Sequence, residues 1–135
     1  MYKRQLHAGA WRNWGGWDQY HELIGGGTKS HEALQEFRVE VTDTDHAVTR
    51  GLPQSFTIVD ELYRFEATGP IEVLAEGVSL ETGERYPVLW AMPQDTLGPF
   101  PGRVLGCTLG HDGRAHEHDA YKTILRNGAS WLEGK

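Results

Sequence analysis

Apolar residues recur along this chain at two spacings. Trp17, Tyr20, Leu23 and Ile24 fall three or four apart, which predicts a helix over residues 17–24. Gly25-Gly26-Gly27 follows and stops it. Ala120, Ile124, Leu125, Gly128 and Trp131 repeat the helical spacing, so residues 119–132 form a second helix with Asp119 as its cap. Alternation governs the stretch between. Residues 37–41 (FRVEV) predict a half-buried strand, and residues 56–59 a short one. Residues 71–75 and 86–91 predict two strands joined as a hairpin through Gly83. Residues 104–109 are apolar throughout between Gly102 and Gly110, the pattern of a central strand covered on both faces. Residues 46–51 fit one helical turn closed by Gly51. Residues 11–16 and the Pro-rich residues 92–102 read as loops.

A buried strand followed by a helix is an α/β pattern. In open α/β sheets, ligands bind at the carboxyl ends of strands. Two polar clusters fall at such ends, Asp60-Glu61 and Gly110-His111-Asp112. His7 makes a third if the opening residues end a strand. That opening is abrupt: Leu6-His7-Ala8-Gly9 reads as a core strand entering a turn. Residues 1–5 are therefore taken as foreign to the domain.

Length and charge narrow the picture. The 135 residues suit a single domain, residues 1–135. A net charge of -6, with no basic cluster longer than Lys3-Arg4, excludes a general grip on nucleic acid or on an anionic membrane. No apolar run approaches the roughly 20 residues that span a bilayer. No signal peptide is visible, and a cytoplasmic location is the expectation. The single Cys107 sits in an apolar run and reads as an inert buried thiol.

The candidate chemistry lies in histidines and carboxylates. Seven histidines are many for this length, and imidazole both titrates near neutral pH and ligates metals. His116 and His118 flank Glu117 in a spacing that also suits a solvated loop. His111 is the stronger candidate because it ends a buried strand. Asp60 and Glu61 must point to opposite faces of an extended chain. One of them can orient His111 or a substrate hydroxyl, and Glu61 can also pair with Arg103. Gly25-Gly26-Gly27 is not a phosphate loop, because the glycines follow a helix instead of opening one. No Gly-x-Ser-x-Gly elbow exists. The nearest analogue of such a bend carries His7, which argues against acyl transfer through a serine or cysteine.

Six segments in order resemble the ThuA-like (trehalose-utilisation) family: WDQYHELIGG (17–26), HAVTRGLP (46–53), FTIVDELY (56–63), PVLW (87–90), GRVLGCTLGH (102–111) and NGASW (127–131). The resemblance covers residues 6–132. It implies a flavodoxin-like α/β fold, a three-layer sandwich related to class I glutamine amidotransferases. It also implies a longer parent chain, of which these residues are the C-terminal portion. The family lacks the amidotransferase cysteine, in keeping with His7 at the bend. The Pro-rich stretch 94–101 departs from the family pattern and leaves the substrate open.

The leading expectation is a domain linked to trehalose or disaccharide utilisation. It would bind or transform a carbohydrate-related small molecule, with His111, Asp60, Glu61 and His7 as catalytic candidates. Tyr63, Trp90, Trp14 and Arg103 would bind the substrate, the aromatic rings stacking on sugar faces. This reading needs no cofactor and no metal. Two alternatives stand beside it: a non-catalytic partner of a sugar oxidoreductase, and a metal-assisted hydrolase using His7, His111 and a carboxylate.

Overall fold

The computed structural model describes residues 2–12, 15–92 and 102–135. Strand β1 (Tyr2–Leu6) leads into a single 3-10 turn (His7–Ala10) and helix α1 (Asp18–Ile24). Then come β2 (Gly26–Gly27), β3 (Gln35–Val41), β4 (Ser55–Asp60), β5 (Glu66–Ala67), β6 (Glu72–Val78), β7 (Arg85–Ala91) and β8 (Arg103–Cys107). Helices α2 (Gly113–Glu117) and α3 (Asp119–Leu132) follow. The predicted helices and strands fall where the spacing placed them. Residues 46–51 differ: they form hydrogen-bonded turns, with Thr49 N–H donating to His46 C=O at 3.1 Å.

The main sheet has six strands in the order β1-β8-β7-β6-β3-β4, and β2 pairs with β5 in a small ribbon. Within the main sheet, β1 and β8 run parallel, and the other neighbours are antiparallel. The fold is therefore α/β with a mixed sheet, less parallel than a flavodoxin-like arrangement implies. Short connections are the physical reason. The turn between β6 and β7, where Gly83 takes φ 75° and Ser79 N–H donates to Glu84 C=O at 2.8 Å, permits only an antiparallel pair. The opening residues, expected to be foreign to the domain, lie from Tyr2 on in β1, whose register runs from Tyr2 opposite Arg103 to Leu6 opposite Cys107.

Successive side chains on a strand face opposite ways, and β7 and β8 use both faces. Trp90 and Val104 turn to one side, packing with Ala10, Phe65 and Met92. Leu89, Ala91, Leu105 and Cys107 turn to the other, where Tyr121, Ile124 and Leu132 of α3 meet them. Covered on both faces, β8 matches its unbroken apolar sequence. Burial pushes the Cys107 thiol up to about 12, so it is inert.

Helix α3 corrects one expectation: its cap is His118, not Asp119. The imidazole accepts from Ala120 N–H through Nδ1 at 3.1 Å and donates through Nε2 to Thr57 C=O at 2.8 Å. A neutral ring both accepts and donates, so it caps the helix and ties it to β4 in one step, which a carboxylate cannot do. Among the described residues no helix is long and apolar enough to cross a membrane.

Between Trp90 and Gly106 the packing leaves no slack. A Cβ on Gly106 would lie 2.1 Å from the Trp90 ring, which is fully buried and donates its Nε1–H to Ile24 C=O at 2.8 Å. We expect Gly106→Ala to cost at least about 1–3 kcal/mol through overpacking. Urea unfolding should show a lower midpoint at unchanged slope, and an unshifted midpoint would contradict this packing.

Candidate active site

The site begins with a sharp bend. His7 follows the last residue of β1 and takes φ 40°, the one non-glycine positive φ among the described residues. Such backbone costs on the order of 1–3 kcal/mol and persists only where neighbours enforce it. Here the ring enforces it: Nδ1 donates to Thr108 C=O at 2.7 Å, just beyond β8. A carbonyl only accepts, so Nδ1 carries the proton and the lone pair of the neutral ring sits on Nε2. The small residues Ala8, Gly9 and Ala10 make room for the bend that the sequence suggested.

Asp60 and Glu61 separate as strand alternation requires. Asp60 is fully buried. Its Oδ2 accepts from Gly110 N–H at 2.7 Å, and its Oδ1 from Glu61 N–H at 2.8 Å and His111 N–H at 3.2 Å. These bonds fix the backbone on both sides of the site, so Asp60 positions Glu61 and His111. Gly110 at φ 115° is required here twice over, by its conformation and because a Cβ would meet the Tyr121 hydroxyl at 2.5 Å.

Glu61 is the hub. Its Oε2 lies 3.1 Å from His111 Nδ1 and 3.6 Å from His7 Nε2, and its Oε1 lies 3.8 Å from His31 Nδ1. Glu61 and His7 are the deeper pair, with side chains 16% and 13% exposed, whereas His31 and His111 at 35% and 37% stand toward solvent. Tyr63, two residues on and so on the same side of the chain, donates its hydroxyl to His7 Nε2 at 3.1 Å. Burial first, then the charges of Glu61 and Asp60, push the Tyr63 hydroxyl up to about 12, which keeps it a neutral donor. Trp11 packs edge-on against both His31 and Tyr63, its ring centre 5.6 Å from each.

The structure thus brings together His7, Asp60, Glu61, Tyr63 and His111 of the predicted residues. Two others it places elsewhere. Trp90 is fully buried in the core against Phe65, at a centroid distance of 4.0 Å, and cannot stack on a ligand. Arg103 opens β8, at the far end from His111. It donates to Trp131 C=O, lies over the Trp131 ring at 5.1 Å, and makes no pair with Glu61. Trp14 and residues 94–101 lie outside the described residues. His116 and His118 do not converge on one point: His116 Nε2 donates to Gly110 C=O at 3.0 Å, and His118 caps α3. Asp112 caps α2 and pairs with Arg114, which holds its carboxyl down to about 2. Trp11 and His31 are the site residues that the sequence pattern does not disclose. The only signal for His31 is the excess of histidine, and Trp11 falls in a stretch that reads as a loop.

Chemically, the cluster offers a carboxylate, imidazoles that can donate or accept, and a neutral phenol. That set can bind hydroxyls and shuttle a proton. Among the described residues, His7, Glu61 and His111 also present ligand atoms within 4.8 Å of one another, close enough to hold a metal ion.

The ThuA family model, described as trehalose utilisation, matches residues 5–132. The structure is similar to a ThuA-like protein from Parabacteroides merdae, with a TM-score of 0.82 at 20% identity, covering 96% of this chain and 59% of that one. A ThuA-like protein from Bacteroides uniformis gives 0.75 at 20% identity, with 96% and 57% covered. A GMP synthase component from Thermoplasma acidophilum gives 0.52 at 14% identity, with 96% and 58% covered. At these identities the likeness is one of fold. The chain spans less than two thirds of each of these proteins. No curated protein matches it.

The two adjacent carboxylates should respond differently to substitution. Asp60→Ala removes a fully buried acceptor from the N–H groups of Gly110, Glu61 and His111 and should cost about 1–3 kcal/mol or more in all. Glu61→Gln keeps shape and some hydrogen bonding at a partly exposed side chain and should cost under about 1 kcal/mol. Thermal unfolding of the two variants checks this, and equal losses would refute the division of roles.

Proposed function

Because this chain belongs to the ThuA family, whose model spans nearly all of it, we propose that the cluster around Glu61 binds and transforms a carbohydrate-related small molecule. One observation carries the reading: two histidines from distant segments, His111 and His7, face one carboxylate at 3.1 and 3.6 Å, with His31 beside it at 3.8 Å while its Nδ1 holds Glu32 C=O. A structural ion pair needs one partner, and a site that handles a hydroxyl needs several donors and acceptors aimed at one point.

The residues divide the work. His7, with its Nδ1–H committed to Thr108, accepts the neutral Tyr63 O–H at Nε2, and a substrate hydroxyl that displaces the phenol would find Nε2 as an acceptor with the O–H beside it. Glu61 accepts from a substrate hydroxyl or from His111 Nδ1–H. His111, on the solvent side, is the residue best placed to exchange a proton with a substrate. Trp11 replaces Trp90 as the aromatic wall: with Tyr63 and His31 it gives an apolar surface next to the polar hub, the pairing that a sugar ring with its C–H face and hydroxyl edge requires. Asp60 stays out of contact and holds the frame.

Calorimetric titration of the protein with trehalose, other disaccharides and their oxidised forms tests the proposal. At least one should bind with measurable heat. His111→Ala should weaken it about 10-fold or more, the effect of one lost hydrogen bond to a charged or titrating group. Heat from none of the sugars would overturn the reading.

A further inference from the structure

We propose that His7, Glu61 and His111 hold one divalent ion of the zinc type, against the leading expectation of no metal and in keeping with the metal-assisted alternative. The inference uses the same cluster as the carbohydrate reading but stands on different grounds, namely spacing and ring orientation.

Ligands of a tetrahedral zinc ion, each about 2.0–2.2 Å from the metal, lie roughly 3.3 Å from one another. Glu61 Oε2 is 3.1 Å from His111 Nδ1 and 3.6 Å from His7 Nε2, values that bracket this spacing. The remaining pair is within 4.8 Å, so a small rotation of one ring completes the set. His7 is already oriented as metal-bound histidines are, its second nitrogen donating to a backbone carbonyl so that Nε2 faces the site. Asp60 fixes the backbone of the other two ligands by accepting from the N–H groups of Glu61 and His111. Two imidazoles and one carboxylate suit zinc and its borderline neighbours. Magnesium and calcium prefer oxygen throughout.

The other nearby histidines fall outside the set. His31 Nδ1 is committed to Glu32 C=O at 2.7 Å, and His116 Nε2 to Gly110 C=O at 3.0 Å. His118 has both nitrogens engaged, Nδ1 in capping α3 and Nε2 on Thr57 C=O of β4. Three protein ligands leave a fourth position open for water or a substrate oxygen, the arrangement of a catalytic ion, not of a closed structural one. That position lies on the side of His111 and His31, whose side chains are 37% and 35% exposed. Tyr63 is the internal competitor. Its hydroxyl now occupies the His7 lone pair, and an ion must release it. The freed O–H then sits at the edge of the site as a donor to whatever the ion binds.

The test is equilibrium dialysis of the full chain against zinc chloride, with elemental analysis, and visible absorption after cobalt(II) substitution. We expect one zinc per chain and cobalt bands of a four-coordinate nitrogen–oxygen site. His111→Ala, a change on the solvent side of the cluster, and His7→Ala should each lower affinity by more than the 10–100-fold typical of outer-shell partners. His116→Ala should bind as the unmodified protein does, and Tyr63→Phe should bind at least as tightly. Substoichiometric zinc in the unmodified protein, or equal binding by His111→Ala, would overturn the proposal. Repeating the sugar titrations after chelation separates the two readings. Sugar binding by a protein with no zinc affinity leaves the carbohydrate reading and removes this one. Zinc binding without sugar heat does the reverse.

Discussion

A single buried carboxylate closes this fold on itself. In the sheet, β4 and β8 are separated by β7, β6 and β3. Yet Asp60, at the end of β4, accepts hydrogen bonds from Gly110 and His111 just beyond β8. Strand twist brings the two ends together, and the carboxylate locks them. A negative charge at full burial is costly unless several donors surround it. Three backbone N–H groups do so here. The curl they fix encloses the larger apolar cluster, from Phe37 and Ile58 through Leu89 to Ile124. It also sets the distance between Glu61 and His111.

Asp60 and Glu61 show how strand geometry assigns roles to like residues. They are neighbours with nearly the same chemistry. Alternation sends one into the seam, where three backbone N–H groups hold it, and the other outward among three imidazoles. The inner residue makes the outer one useful. The same alternation sends Trp90 inward against Phe65 and leaves Trp11 to form the wall of the site.

Much of this is legible in the sequence. Apolar spacing gives helix α3 its observed bounds, and periodicity with glycine placement marks the hairpin through Gly83 and the doubly covered β8. His7, Glu61 and His111 stand out because strand ends carry function in α/β folds. The misreadings share one cause. Periodicity tells which residues share a face, not which face meets which neighbour. Trp90 lies on a correctly predicted strand but points into the core, and Arg103, one residue ahead of the strand predicted over 104–109, opens β8 at the end away from the site. Trp11 and His31 reach the site through isolated bridges to Thr28 and Tyr63, pairings across a distance that no local pattern encodes. His118 displaces Asp119 as cap because it also has Thr57 of β4 to hold.

The seam has a consequence for how the molecule assembles. Its bonds join residues 50 and 51 positions apart, and the bend at His7 is held by a contact spanning 101. Local hairpins such as β6–β7 can form early, because closing a short loop costs little entropy. The seam can form only after the sheet between its ends exists. The geometry of the cluster is therefore among the last features to appear as the chain folds, and among the first to be lost when the curl opens. An opened sheet would keep most of its strands while the imidazoles part from Glu61, so the cluster would come apart well before the backbone unravels.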